Sequence, residues 1–372
     1  MEISKLSKLI TPSGTMAISN KARILREQGK PVIGFGAGEP DFPTPEYVVK
    51  DVQVAAEDTS NHKYSPVAGL TILKEEIVRT SKLYSGINVQ QENILVSNGG
   101  KHAILTTFMS ILNPGDEVLI PSPYWTTYPE AVKISGGNPI IVDTEFDDDF
   151  KVNTDQLDAL KTSKTKILVW VSPSNPTGVV YTKEEAEKIY NWAFENNVWI
   201  LSDELYEHLV YEGMTSPSPA QYDTELNNTI IINGVAKAYS MTGWRVGWII
   251  ANTDVIDMAK KIQSHATSNV SNISQIAAYS ALKNGLNETK IMKESFNRRR
   301  LYAIEEFSNI ENVNLIKSTG AFYLFPDVSY YSSNGVINGV HNSIDFCNWL
   351  LDEYFIAFVP GEVFGKNGFL RC

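Results

Sequence analysis

The chain has 372 residues, 43% of them hydrophobic and 20% charged, a globular balance with length for one large and one smaller domain. Its net charge of -11 disfavours phosphate backbones, so no nucleic-acid partner is expected, while local pockets for small anions remain open. The two cysteines, Cys347 and Cys372, lack metal-ligand spacing, no apolar run approaches a membrane span, and the N-terminus lacks a signal peptide's apolar core. The expectation is therefore a cytoplasmic protein with no metal site, no disulfide framework and no membrane partner.

Along the chain, short apolar runs alternate with amphipathic ones. "NILVS" (Asn93 to Ser97) reads as a buried strand and "KHAILTTFMSIL" (Lys101 to Leu112) as a helix. "DEVLIP" (Asp116 to Pro121) is a strand, "YPEAVKIS" a helix, and "NPIIVD" and "KILVWV" are strands. Between these last two, the acidic "FDDDF" (Phe146 to Phe150) reads as a solvated turn. "TKEEAEKIYNWAFENN" (Thr182 to Asn197) is a helix opened by Thr182, and the strands "VWILSD" and "TIIING" follow. Fully apolar strands separated by helices predict an α/β fold, its mostly parallel sheet sandwiched by helices. After "RVGWIIAN" the pattern turns helical from about Thr253 to Ser308. From Val313 a mixture follows: strands "NLIKS", "AFYLFPD" and "IAFVPG" and the helix "SIDFCNWLLDEY", a smaller α+β domain. The expected division is an N-terminal arm belonging partly to the small domain (1–45), a large domain (46–285) and the small domain (286–372).

Ligands of open parallel sheets collect at the carboxyl ends of the strands, so the segments after each strand matter most. They are "NGGK", "PYW", "PSNPTG", "DELY" and "GVAK". Gly99 and Gly100 at a helix start suit an anion, or form only a tight turn. Asp203 either caps a helix or pairs with a protonated ring nitrogen. Asn175 sits between two prolines in a turn, and a cis bond before Pro176 would aim its amide inward. Trp125 is either core or a platform for a flat ring. Lys237 closes an apolar strand, where a desolvated amine attacks carbonyls. Arg245, eight residues on, either returns to a phosphate or forms an ion pair. Jointly these pieces describe a pocket for pyridoxal 5'-phosphate.

With eight motifs in order, from "AGEPDFPTP", "KYSPVAGL" and "SNGGKHA" through "PSPYWTTYPE", "SPSNPTG", "SDELYEHLVY" and "NGVAKAYSMTGWRVGW" to "FVPGEVFGKNGFLR", the chain resembles the class I aminotransferases. The likeness is to their aspartate aminotransferase-like branch, fold type I enzymes that use pyridoxal phosphate. The resemblance implies that Lys237 bonds the cofactor aldehyde and then shuttles the proton. It implies that Asp203 holds the ring nitrogen protonated, and that Tyr206 and Asn175 hydrogen-bond the phenolic oxygen. Trp125 would stack on the ring, and Gly99, Gly100, Lys101 and Arg245 would hold the phosphate. Tyr64 would reach the phosphate of a neighbouring subunit, making the active unit a homodimer. Arg371 would take the substrate α-carboxylate with Asn175, and the Gly38 backbone would lie against the substrate.

One branch of the family binds a distal carboxylate with an arginine from the partner subunit. This chain has no arginine between Arg245 and Arg298. It is more similar to the other subgroup, in which a lysine of the Gly-Gly-Lys loop meets acidic substrates. Lys101, helped by Ser13 and Thr15, is then implied in binding the distal carboxylate of aspartate or glutamate. Lys101 serving only the phosphate or a surface ion pair is the alternative. Gly234 and Ala236 stand where family members often carry serine hydroxyls, which shifts the phosphate grip toward Arg245 and the loop. The implied reaction is L-aspartate with 2-oxoglutarate giving oxaloacetate and L-glutamate. Prephenate or aromatic transamination, β carbon–sulfur lysis, and an inactive fragment are the alternatives. Family members continue past the final arginine, so a chain stopping at Cys372 is expected to leave Arg371 on a fraying end.

Overall fold

A computed structural model describes residues 2–12 and 14–372. Its strands, in chain order, are β1 (Ile33–Gly34), β2 (Ile94–Ser97), β3 (Glu117–Ser122), β4 (Asn138–Asp143), β5 (Thr165–Val171) and β6 (Trp199–Asp203). They continue with β7 (Thr229–Gly234), β8 (Gly247–Ile250), β9 (Ile356–Ala357), β10 (Val359–Pro360) and β11 (Leu370–Arg371). Seven of them form one sheet in the order β2-β8-β7-β6-β5-β3-β4. All neighbours run parallel except β8, which is antiparallel to both β7 and β2. The short segment 235–246 between β7 and β8 explains the exception: it carries no crossover helix, and only an antiparallel return fits so brief a link.

The apolar runs are continuous because both faces of the sheet are covered. Ile94, Val96, Ile231 and Ile250 point to one side, against Leu73, Ile77 and Ala277 to Ala281. Leu95, Ile230, Ile232 and Ile249 point to the other, against Ile104 and Phe108 of the helix Gly100–Ile111. Beside them, Leu168, Trp170 and Ile200 pack on Ala186, Ile189 and Trp192 of the helix Lys183–Glu195. That helix starts where expected, because Thr182 and Glu185 form a reciprocal capping box. Each fully buried isoleucine or leucine contributes about 1.5–3 kcal/mol. This sandwich therefore holds the strand ends rigidly.

Several elements differ from the sequence reading. The helical stretch after β8 is three helices, Thr253–Ala266, Asn272–Asn284 and Asn287–Ser308, the last two separated by Gly285 at φ 81°. "NLIKS" and "AFYLFPD" form no strands, only isolated bridges such as Asn314 to Asp327. Their alternation reflects packing among aromatic rings, with Phe325 stacked on Phe369 at 5.1 Å. Asp147 to Asp149 are solvated as expected, but Phe150 turns inward to meet Phe325 and Phe369. The helices Gly14–Glu27, Glu46–Glu57 and Thr71–Thr80 have no counterpart among the predicted elements. The first is mostly exposed, with Ile18 and Ala22 buried on Leu351 and Ala357. It joins the C-terminal part of the chain, as do β1, paired with β9, and the Lys21–Asp352 ion pair.

Gly247 at the start of β8 lies directly under the loop that opens the helix Gly100–Ile111. A Cβ there would meet Gly100 N and Gly99 C at 2.8 Å and Asn233 O at 3.0 Å, all backbone atoms. Gly247→Ala should therefore lower stability by about 1–3 kcal/mol in urea denaturation, whereas Gly243→Ala, with open space around it, should not.

Candidate active site

At the carboxyl ends of the strands lies a cleft of about 520 Å³. Gly38, Gly100, Lys101, Trp125, Asn175, Asp203, Tyr206, Lys237, Arg245 and Arg371 all line it, so segments distant in sequence converge as expected. Gly99 borders it as the residue preceding the helix.

Asp203, the last residue of β6, forms the floor and is 4% exposed. Its Oδ2 accepts a hydrogen bond from the Tyr128 hydroxyl at 2.7 Å, and its Oδ1 accepts one from Leu205 N at 3.3 Å. Burial pushes the carboxyl up to about 6, against the opposing pull of these two bonds and the charge of Lys237. The Leu205 contact resembles a cap, yet the segment after Asp203 is a turn and no helix starts there.

Lys237 follows β7 and donates from Nζ to Gly38 O. The amine lies 5.7 Å from the Tyr206 ring centre and 5.9 Å from that of Phe322. Burial pulls it down to about 8, reinforced by the charges of Arg371 and Arg245 and opposed by Glu39 and Asp203. About half of this amine is therefore neutral near pH 8, the form able to attack a carbonyl.

One end of the cleft suits an anion. Gly99 adopts φ 82°, and the free N–H groups that open the helix Gly100–Ile111 face the same corner as Arg245. A Cβ at Gly99 would stand 2.6 Å from Arg245 Nη2, so only glycine lets the loop and the guanidinium come together. Among the described residues Arg245 donates only to carbonyls, Thr242 O at 2.9 Å and Asn98 O at 3.4 Å. Nearby, Lys101 Nζ sits 5.1 Å from the Trp125 ring, and partial burial together with Arg245's charge lowers its pKa.

Arg371 forms the other end. It is 3% exposed and held in the β10–β11 pair, so the fraying expected of it is not seen. Nη1 donates to Asn175 Oδ1 at 3.1 Å and Nη2 to Gly36 O at 2.8 Å, while buried Nε has no partner among the described residues. The Asn175–Pro176 bond is cis, as expected. None of the ion pairs among the described residues includes Lys101, Lys237, Arg245 or Arg371. Four cations thus share one cleft, and among the described residues no acid forms an ion pair with any of them.

Of the three remaining expected residues, only Tyr64 is described. Ser13 and the side chain of Thr15 lie outside what the structure describes. Tyr64 is 91% exposed, on a loop pinned by Asn272 Nδ2 to Lys63 O at 2.8 Å and Asn269 Nδ2 to Ser65 Oγ at 3.0 Å. Conversely, the sequence reading missed Tyr128 and Tyr323. Tyr128 had a signal, since it stands three residues after Trp125 at a helix start; Tyr323 lay inside a run that reads as core strand.

A desolvated amine and a buried carboxyl between two anion grips, at the rim of an α/β sheet, define an enzyme site for amine–carbonyl chemistry. Residues 30–372 match the family of class I and II aminotransferases. An aspartate aminotransferase of Streptomyces avermitilis is 45% identical over 97% of this chain and 89% of its own length. A probable aspartate/prephenate aminotransferase of Aquifex aeolicus is 39% identical over 99% of this chain and 92% of its own. The structure of the Thermus thermophilus aspartate aminotransferase with maleate superposes with a TM-score of 0.94 at 35% identity, covering 100% of this chain and 94% of that one. The chain belongs to the class I and II aminotransferases and is an aminotransferase.

The lysine also leaves a signature in stability. Between its folded value near 8 and the ordinary 10.5, Lys237 binds fewer protons folded than unfolded, so stability rises with pH across that window. In urea titrations of the ligand-free protein, wild type should gain on the order of 2 kcal/mol on Lys237→Met between the ends of that window. Parallel pH profiles would contradict a desolvated amine.

Proposed function

We propose that the protein is a pyridoxal 5'-phosphate-dependent aspartate aminotransferase, passing the amino group of L-aspartate to 2-oxoglutarate. The observation that carries this reading is the set of four cleft cations with no ion pair among the described residues, arranged around the buried Asp203. The residues fit the cofactor: Gly99 has no room for a Cβ beside Arg245, as a close phosphate cradle requires, and Arg371 Nε is a buried donor still lacking an acceptor. Gly99, Gly100 and Arg245 would hold the phosphate, Trp125 would cover the ring, and Asn175 and Tyr206 would meet its phenolic oxygen. When bound, the cofactor supplies an aldehyde for amine exchange and a ring that withdraws electrons from the substrate α-carbon.

The chain's own residues do the rest. Asp203, sealed from water, gains its most favourable partner when a protonated nitrogen reaches it, and Tyr128 holds it in place. Arg371 orients the substrate by its α-carboxylate while Gly38 limits its approach. Freed Lys237 takes the α-proton and returns it during the same half-reaction. Lys101 is the residue to meet the distal carboxylate, since no ion pair among the described residues occupies it. Tyr64 stands exposed on a pinned loop, which suits a reach into the cleft of a second copy and so a homodimer. The packing of the N-terminal helix on the C-terminal segment supports the division into an arm (1–45), a large domain (46–285) and a small domain (286–372). Among the described residues no helix is long and apolar enough to cross a membrane, in keeping with a cytoplasmic place.

Prephenate is the second substrate to test, because the Aquifex aeolicus relative is named for both. It carries two carboxylates and would use the same two grips. Lys237→Ala should reduce turnover of aspartate with 2-oxoglutarate by at least about 10³-fold. Wild-type rates in that variant would sink the assignment. Lys101→Met should raise KM for aspartate about 10–100-fold, the weight of one charge-assisted bond, while leaving phenylalanine nearly unaffected. An equal effect on both substrates would place Lys101 on the phosphate instead.

A further inference from the structure

Tyr206 and Tyr323 place their hydroxyl oxygens 2.7 Å apart, with the two residues 5% and 2% exposed. A phenol has one proton to give and can accept two. In a sealed pair one hydroxyl must donate to the other, and only the acceptor keeps its proton for a third group. The direction therefore decides whether Tyr206 can donate into the cleft at all.

The surroundings set that direction. The Arg371 guanidinium lies over the Tyr323 ring, 4.7 Å from its centre. Burial raises both phenols, but for Tyr323 the charge of Arg371 and the bond with Tyr206 both work against the rise. For Tyr206 the interaction with Tyr323 adds to the rise, while the charge of Arg371 again opposes it. The cation nearest the Tyr206 ring is Lys237 at 5.7 Å, against 4.7 Å for Arg371 over Tyr323, so the closer cation makes Tyr323 the better donor of the pair. The charged groups acting on the pair are Arg371, Asp203 and Lys237.

The backbone keeps the two hydroxyls in register. Leu209 N donates to Tyr206 O at 2.8 Å, and Ala321 N donates to Leu209 O at 2.8 Å. Tyr211 N donates to Thr319 O at 2.9 Å, and the Tyr211 hydroxyl donates to Ala321 O. The segment bearing Tyr323 is thus laced to the turn bearing Tyr206 by two backbone bonds and one side chain, and the first bond closes the turn itself.

We propose that Tyr323 is a positioning residue: its hydroxyl donates to Tyr206 and so commits the Tyr206 proton to the cleft. On the function proposed above, which this inference rests on, that proton goes to the phenolic oxygen of the cofactor. A donor there stabilises the more negative form, the one that has lost its proton, and lowers the pH at which the lysine-bound cofactor titrates.

Tyr323→Phe removes the hydroxyl and keeps the ring under Arg371. Two measurements test the proposal. In the ligand-free protein, carbon-13 at the tyrosine ζ position should show the Tyr206 signal moving in the variant. In the cofactor-loaded protein, the midpoint of the pH-dependent visible spectrum should rise by about 0.1–0.3 pH unit, because a hydroxyl that accepts a bond donates more strongly, whereas a fall would show Tyr206 donating to Tyr323 in the wild type. In a Tyr206→Phe background the same substitution should leave that midpoint where it is. An unmoved Tyr206 signal, an unmoved midpoint, or an equal rise in the Tyr206→Phe background overturns the proposal. A wild type without any cofactor band would instead sink the proposed function, and the carbon-13 result would still decide the tyrosine pair.

Discussion

A buried carboxyl and a partly buried amine at adjacent strand ends, neither in an ion pair among the described residues, are the constraint on which this cleft depends. Burying an ionisable group costs free energy unless a partner restores what water supplied. Asp203 answers with two hydrogen bonds and an upward shift, and Lys237 with a downward shift. Both are poised for partners the chain itself does not provide. A small molecule bringing a ring nitrogen to one and a carbonyl to the other would offset both costs together. Divergent pKa shifts in one cleft are how a fold assigns acid and base roles near neutral pH.

The scaffold serves that constraint through its one topological irregularity. The return from β7 to β8 without a helix puts Lys237 and Arg245 on a single short loop, so the amine and the phosphate grip are set by the same pair of strands. Gly247 then lets β8 slide beneath the Gly99–Gly100 turn, bringing the helix opening to Arg245. The opposite end is built by chain remote in sequence. Arg371 arrives in the β10–β11 pair, seated between Tyr323 and Phe364 with ring distances of 4.7 and 5.0 Å.

Much of this was legible in the amino-acid order. The central strands read as unbroken apolar runs because each side chain is buried whichever face it points to, and the Thr182 box marked its helix. The rim residues stood out because Lys237 and Asp203 each close an apolar run; a helix cap would have explained Asp203 alone, and only the convergence of the rim segments favoured a site. What stayed hidden depends on distances the order does not carry. "AFYLFPD" looked like a strand because alternating aromatics pack against other aromatics as readily as across a ladder. Tyr323 was invisible because a tyrosine in an apolar run is ordinarily core, and only the position of its hydroxyl tells otherwise; Tyr128 carried only its spacing from Trp125. The helix Gly14–Glu27 escaped because just Ile18 and Ala22 mark its buried side.

The most direct test is the visible spectrum of the purified protein with pyridoxal phosphate, recorded before and after aspartate is added. The account predicts a band from cofactor bonded to Lys237 that fades with aspartate and persists with alanine or phenylalanine. A spectrum of free cofactor alone, or a bound band indifferent to aspartate, would contradict it.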